Sequence, residues 1–96
     1  MNNLTLVDLF LNEYWIEKGL SENTVQSYRL DLTALCDWLD KQNLSLETLE
    51  PLDLQQFLGS RLEQGYKATS TARMLSAMRK LFQYLYREKY RTDDPS

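Results

Sequence analysis

Nineteen leucines stand against two valines, Val7 and Val25, and one isoleucine, Ile16. Leucine keeps most of its rotamer freedom in a helix, whereas a β-branched side chain loses it there and favours a sheet. Three glycines and two prolines leave little punctuation for many strand turns. The fold class that follows is all-α. Hydrophobic residues make up 43% and charged residues 26% of the 96 positions, the balance of one folded domain rather than of a disordered chain.

The same inventory removes several chemistries. Histidine is absent, which takes away the commonest general base and every histidine-containing zinc site. One cysteine, Cys36, neither pairs within the chain nor builds a thiolate cage, and it points to a reducing, cytoplasmic setting. The opening MNNLTLVDLF has no basic n-region and no long apolar run, so neither a signal peptide nor a membrane span is expected. No glycine-rich loop cradles a phosphate, and no metal or cofactor is expected. Six tyrosines are present, but a phenol near its ordinary pKa of about 10 needs local activation that this chain does not supply. Tyr14 and Tyr28 fall on apolar stripes and Tyr86 at a stripe margin, and Trp15 and Trp38 read as structural. The 96 residues are expected to be catalytically inert.

Caps and stripes divide the chain into four helices. Thr5 with Asp8 resembles a capping box, followed by Val7, Phe10, Leu11 and Tyr14 at helical spacing. Gly19 stops this helix in a left-handed position, with Leu20 packing back. Ser21 caps a second helix, whose stripe is Val25, Tyr28, Leu32, Leu35 and Leu39, through about Lys41 and before Asn43. The connector NLSLETLEP has room for a short helical turn. Pro51 suits the first turn of a third helix with Leu54, Phe57, Leu58 and Leu62 on its stripe, ending before Gly65. Thr69 or Ser70 caps a fourth, buried along Thr71, Met74, Leu75, Met78, Leu81, Phe82 and Leu85. Short connections make this a compact four-helix bundle over residues 1–91, with TDDPS as an exit segment.

Charge is distributed unevenly. The chain carries −3 in total, but residues 1–60 hold three cations and ten carboxylates, a net of −7. Residues 61–91 hold eight cations against Glu63 and Glu88, a net of +6. On the fourth helix Arg73, Ser76, Lys80, Gln83 and Arg87 fall within roughly 40° of the line opposite Met78, at 100° per residue. Arg79 lies on the shoulder. A surface helix of no particular purpose mixes its signs, whereas this face has no carboxylate. Phosphate oxygens complement it, and a helix fits a DNA major groove. A merely solvated face, or one that meets acidic protein surface, remains the alternative. Lys67, Thr69, Ser70 and Thr71 place a cation and hydroxyls where free helix N–H groups favour an anion. Ser21, Asn23, Thr24 and Ser27, with Arg29 a turn later, repeat that composition at the second helix. For Ser21 and Ser70, plain capping explains the same residues.

The segment SENTVQSYRLDLTALCDWL resembles the second-helix signature of tyrosine recombinases of the phage-integrase type, with Thr24, Tyr28, the Asp31-Leu32 pair and a Trp38-Leu39 ending. GYKATSTARMLSAMRKLFQYLYREKYRTDDPS is similar to the matching stretch of the bacterial members that resolve chromosome dimers. The likeness covers essentially the whole chain. The first block is shared with integron and phage integrases, which remain alternatives, and the second is the more specific.

This resemblance implies a SAM-like, four-helix core-binding domain, with a linker to a separate catalytic domain beginning in residues 92–96. The family's nucleophilic tyrosine and its partners would lie in that other domain. The implied partner is double-stranded DNA carrying a recombination half-site, clamped between the two domains with helices two and four toward the groove. Carried over to this chain, the DNA-binding residues are Asn23, Thr24, Ser27, Arg29, Lys67, Thr69, Ser70, Arg73, Ser76, Arg79 and Lys80. Arg73, Arg79 and Lys80 are the candidates for base edges, and the rest for phosphates. A buried structural role is the alternative for Tyr28 and Arg79. The resemblance also implies a second recombinase in a four-subunit synapse, with Leu4, Leu6 and Leu9 as candidate contacts, and an FtsK-like translocase as partner of the longer parent. Alone, this domain is expected to be a monomer that spans no membrane. A helical protein-interaction module without a DNA role is the competing class.

Overall fold

A computed structural model describes residues 2–93, with four helices and no strand among them. They are α1 (Asn3–Lys18), α2 (Glu22–Lys41), α3 (Pro51–Glu63) and α4 (Ala68–Arg87). The all-α, four-helix class is the one expected. Two compact units divide the chain, Met1–Leu46 and Glu47–Ser96. The proposed linker residues Asp94, Pro95 and Ser96 lie outside the described residues.

In the first unit, local signals set most boundaries. Gly19 adopts the left-handed conformation, φ 58°, and its N–H bonds the Trp15 carbonyl, ending α1. The Ser21 side chain accepts from the Thr24 N–H at 3.2 Å and starts α2. The start of α1 differs from expectation. Asn2, not Thr5, is the N-cap, and its side chain accepts from the N–H groups of Leu4 and Thr5. An Asn one turn earlier reaches the same orphan donors, and Asp8 is engaged elsewhere. Asn3–Asp40, Asp8–Arg29 and Tyr14–Tyr28 contacts make α1 and α2 an antiparallel pair. Leu6, Val7, Phe10, Leu11, Val25, Leu32, Leu35 and Leu39 are buried. Asn3 is buried with them and acts as a bracket. It donates to the Asp40 carboxylate and the Leu44 carbonyl, and its oxygen accepts from the Leu46 N–H at 2.8 Å.

Residues 46–48 of the connector form only a turn, and in the second unit Pro51 opens α3 as expected. Asp53 and Glu50 complete a reciprocal capping box there. Leu54 and Phe57 are buried, but Leu58 is half-buried and Leu62 is 56% exposed. Arg61 takes the inward place instead. It is 6% exposed, with its guanidinium 4.0 Å from the Tyr66 ring centroid and 5.8 Å from that of Phe57. The start of α4 is also earlier than expected. Lys67 is the N-cap and makes no side-chain cap bond, so Thr69 and Ser70 lie within the first turn. Met74, Ala77, Met78, Leu81, Phe82, Tyr84 and Leu85 are buried along α4. The expected stripe is present, although Thr71 and Leu75 are only half-buried. After α4, Arg91 is buried and donates to the Leu49 carbonyl at 2.7 Å.

Candidate nucleic-acid interface

The α4 face is the more continuous of the two candidate regions. Arg73, Arg79, Gln83 and Arg87 are exposed, and Ser76 and Lys80 are half-buried. Lys80 donates to the Ser76 hydroxyl at 2.9 Å, four residues back along the same face. This contact lays the flexible lysine stem along the helix and fixes its ammonium near a hydroxyl that also faces outward. Lys67 and Thr69 are exposed and Ser70 half-buried at the helix start, where no side chain caps the first-turn N–H groups. Thr69, Arg73, Ser76, Lys80 and Arg87 thus share one long side of α4, with Arg79 beside them. Arg79 is solvent-exposed, which removes the buried structural role considered for it. A row of cations and hydroxyls on one helix can meet successive oxyanions.

The α2 region is less uniform. Asn23 is exposed and Ser27, one turn on, is half-buried on the same side. Thr24 is half-buried, with its hydroxyl 2.9 Å from the hydroxyl of Ser21, so capping occupies it. Arg29 does not join them. Helical geometry turns it about 120° from Asn23, and its guanidinium is paired with the Asp8 carboxylate of α1. Asp8 was expected in a helix cap; its position instead binds the one basic group of the α2 site.

Two of the eight cations in residues 61–91 are structural. Arg61 lies between aromatic rings, and Arg91 is bonded to Leu49 and Asp93. A charge count does not reveal this, although the aromatic Phe57, four residues before Arg61, is a legible hint. The aromatic residues also differ in part from expectation. Tyr14 and Tyr28 are half-buried and within 6.5 Å of each other, but Tyr86 is 54% exposed and Trp15 43% exposed. Leu6 is fully buried in the core, so it cannot form a surface with Leu4 and Leu9, which are 43% and 38% exposed. No described helix is long and apolar enough to cross a membrane.

Comparison with known proteins places these features in a family. The family described as phage integrase, N-terminal SAM-like domain, matches residues 7–89. The tyrosine recombinase XerD of Haemophilus influenzae is 88% identical over all 96 residues, which cover 32% of that protein. XerD of Pasteurella multocida is 74% identical over the same 96 residues, again 32% of its length. XerD of Yersinia pestis is 60% identical over 95% of this chain and 30% of its own length. The chain therefore spans about a third of the length of the curated relatives it matches.

Proposed function

Because the chain belongs to the phage integrase N-terminal SAM-like domain family, we propose that it is the DNA-binding part of a site-specific tyrosine recombinase. The observation that carries this reading is the outward side of α4, where exposed Arg73, Arg79 and Arg87 lie with Ser76, Lys80 and Gln83 and no carboxylate interrupts them. Phosphates neutralise such a row, and arginine and lysine also match guanine edges in the major groove. Lys67, Thr69 and Ser70 extend the contact at the helix start. Asn23, Thr24 and Ser27 form a smaller, mostly uncharged contact on α2. Arg29 joins only by exchanging Asp8 for a phosphate.

In this proposal the parent resembles XerD: it cleaves and rejoins DNA strands with residues outside these 96. It acts beside an XerC-like recombinase in a four-subunit synapse, is served by an FtsK-like translocase, and resolves chromosome dimers before division in the cytoplasm. A phage- or integron-type integrase is the alternative parent. Exposed Leu4 with Trp15, and exposed Leu9 with Ile16 on another side of the helix, favour α1 as a protein-contacting element within that assembly.

A titration of this chain with duplex DNA at several salt concentrations tests the reading. Five engaged cations give log K falling with log[salt] at a slope of about −4 to −5. The double substitution Arg73→Ala, Lys80→Ala is expected to weaken binding and flatten that slope without shifting the melting temperature by many degrees. A slope near zero for the unaltered chain would leave the protein-interaction reading in its place.

A further inference from the structure

A cavity of about 460 Å³ opens at the C-terminal end of α4, lined by Tyr86, Arg87, Lys89, Arg91 and Thr92. None of these residues belongs to the set carried over from the family resemblance. Its described lining holds three cations, the Thr92 hydroxyl and the Tyr86 phenol, with the Asp93 carboxylate against Arg91. Arg91 forms its fixed wall, with a side chain only 4% exposed and bonded to the Leu49 carbonyl and the Asp93 carboxylate. The accessible groups are the exposed Tyr86, Arg87, Lys89 and Thr92. Lys89 has φ 63°, which turns the chain sharply after the helix and brings residues 89–92 back beside Tyr86 and Arg87.

We infer that this cavity takes a phosphate of the DNA backbone together with its deoxyribose, the phosphate between Arg87, Lys89 and Thr92 and the sugar against the Tyr86 ring. The inference rests on the DNA-binding reading and extends it past Lys80. Arg87 lies on the same side of α4 as Arg73 and Lys80, about 10 Å beyond Lys80 along the axis. A helix of 20 residues is about 30 Å long, whereas the major groove is about 12 Å wide. A helix that crosses the groove with its first turns inside must carry its last turns over a phosphate rail. The cavity is at that end. Glu88, whose carboxylate is 3.8 Å from Arg87, is the opposing charge. That pair is open to water on both sides and yields readily to a phosphate.

The test is a salt-resolved titration of the chain with a mixed-sequence duplex, followed by backbone amide shifts, for the unaltered chain, Arg87→Gln with Lys89→Asn, and Tyr86→Ala. Asparagine suits the left-handed backbone at residue 89, so the double variant should melt like the parent chain. The expected result is duplex-induced shifts over residues 86–92 and a salt slope lower by about 2 in the double variant. Severalfold weaker binding with an unchanged slope is expected for Tyr86→Ala. An unchanged slope and still amides at 86–92, while Arg73→Ala with Lys80→Ala does flatten the slope, would overturn the inference and confine the DNA-binding reading to the cations from Lys67 to Lys80. No duplex binding by the unaltered chain would remove both. Inorganic phosphate or polyglutamate moving these amides at lower concentration than the duplex would assign the cavity to a free oxyanion or an acidic protein, and overturns it equally.

Discussion

Residues 2–46 and residues 47–93 each tie their helices to the connector with one buried polar side chain, and they differ in what their charges meet. In the first unit Asn3 bonds Asp40, Leu44 and Leu46; in the second Arg91 bonds Leu49. In the first unit the α2 cation Arg29 is answered by Asp8, and burial, with the charges of Asp40, Asp37 and Asp8, pushes the Cys36 thiol up. In the second, Arg61 and Arg91 are used internally, and the outer side of α4, a helix with no carboxylate in its own sequence, carries Arg73, Arg79, Lys80 and Arg87. The comparison teaches that a count of charges overstates how many of them a helix presents to solvent. Arg61 and Arg91 count in the basic balance of residues 61–91, but the fold buries both.

The largest effects come from opening the core of each unit separately. Phe10→Ala and Phe82→Ala, both fully buried, should each cost about 3–5 kcal/mol in urea unfolding. A much smaller loss for either would mean that its unit closes over the gap.

Next come the brackets. Asn3→Ala leaves the buried Leu46 N–H without its acceptor, and Arg91→Met leaves the Leu49 carbonyl without its donor. Each is expected to destabilise by about 1–3 kcal/mol. A neutral Arg91→Met would show that a buried apolar chain of similar length serves as well.

The acidic field of the first unit has its own signature. Burial, and then Asp40, Asp37 and Asp8, push the Cys36 thiol up from 9.0 to about 12. A pKa raised in the folded state contributes stability that is complete below pH 9 and lost as pH rises toward 12. The melting-temperature gap between the parent chain and Cys36→Ala should therefore narrow over that window. A constant gap would indicate that Cys36 contributes by packing alone.

The smallest effect on stability is expected at the Asp8–Arg29 pair, about half-exposed on both sides and worth under ~1 kcal/mol. Asp8→Asn should hardly move the melting temperature, but it should tighten duplex binding at low salt by releasing Arg29. Unchanged binding would remove Arg29 from the interface.

What the sequence determined by itself is local in origin. The preference for leucine over β-branched residues made the chain all-α. Gly19, Ser21 and Pro51 set helix ends because a left-handed residue, a capping hydroxyl and a fixed φ act within one turn. The stripe from Met74 to Leu85 was legible because helical period alone sorts it. The competition among nearby caps was not: Asn2 prevailed over Thr5, and Lys67 stands at the N-cap where Thr69 or Ser70 was expected. Tertiary structure decided which polar groups turn inward. Arg91 meets Leu49 across 42 positions and Asn3 meets Leu46 across 43, and Arg29 finds Asp8 on another helix. No local pattern encodes these three pairings, because each joins groups that only the folded chain brings together. The α4 face was visible in the sequence as a row of charges, and the fold decided which of the chain's cations remain outside to use.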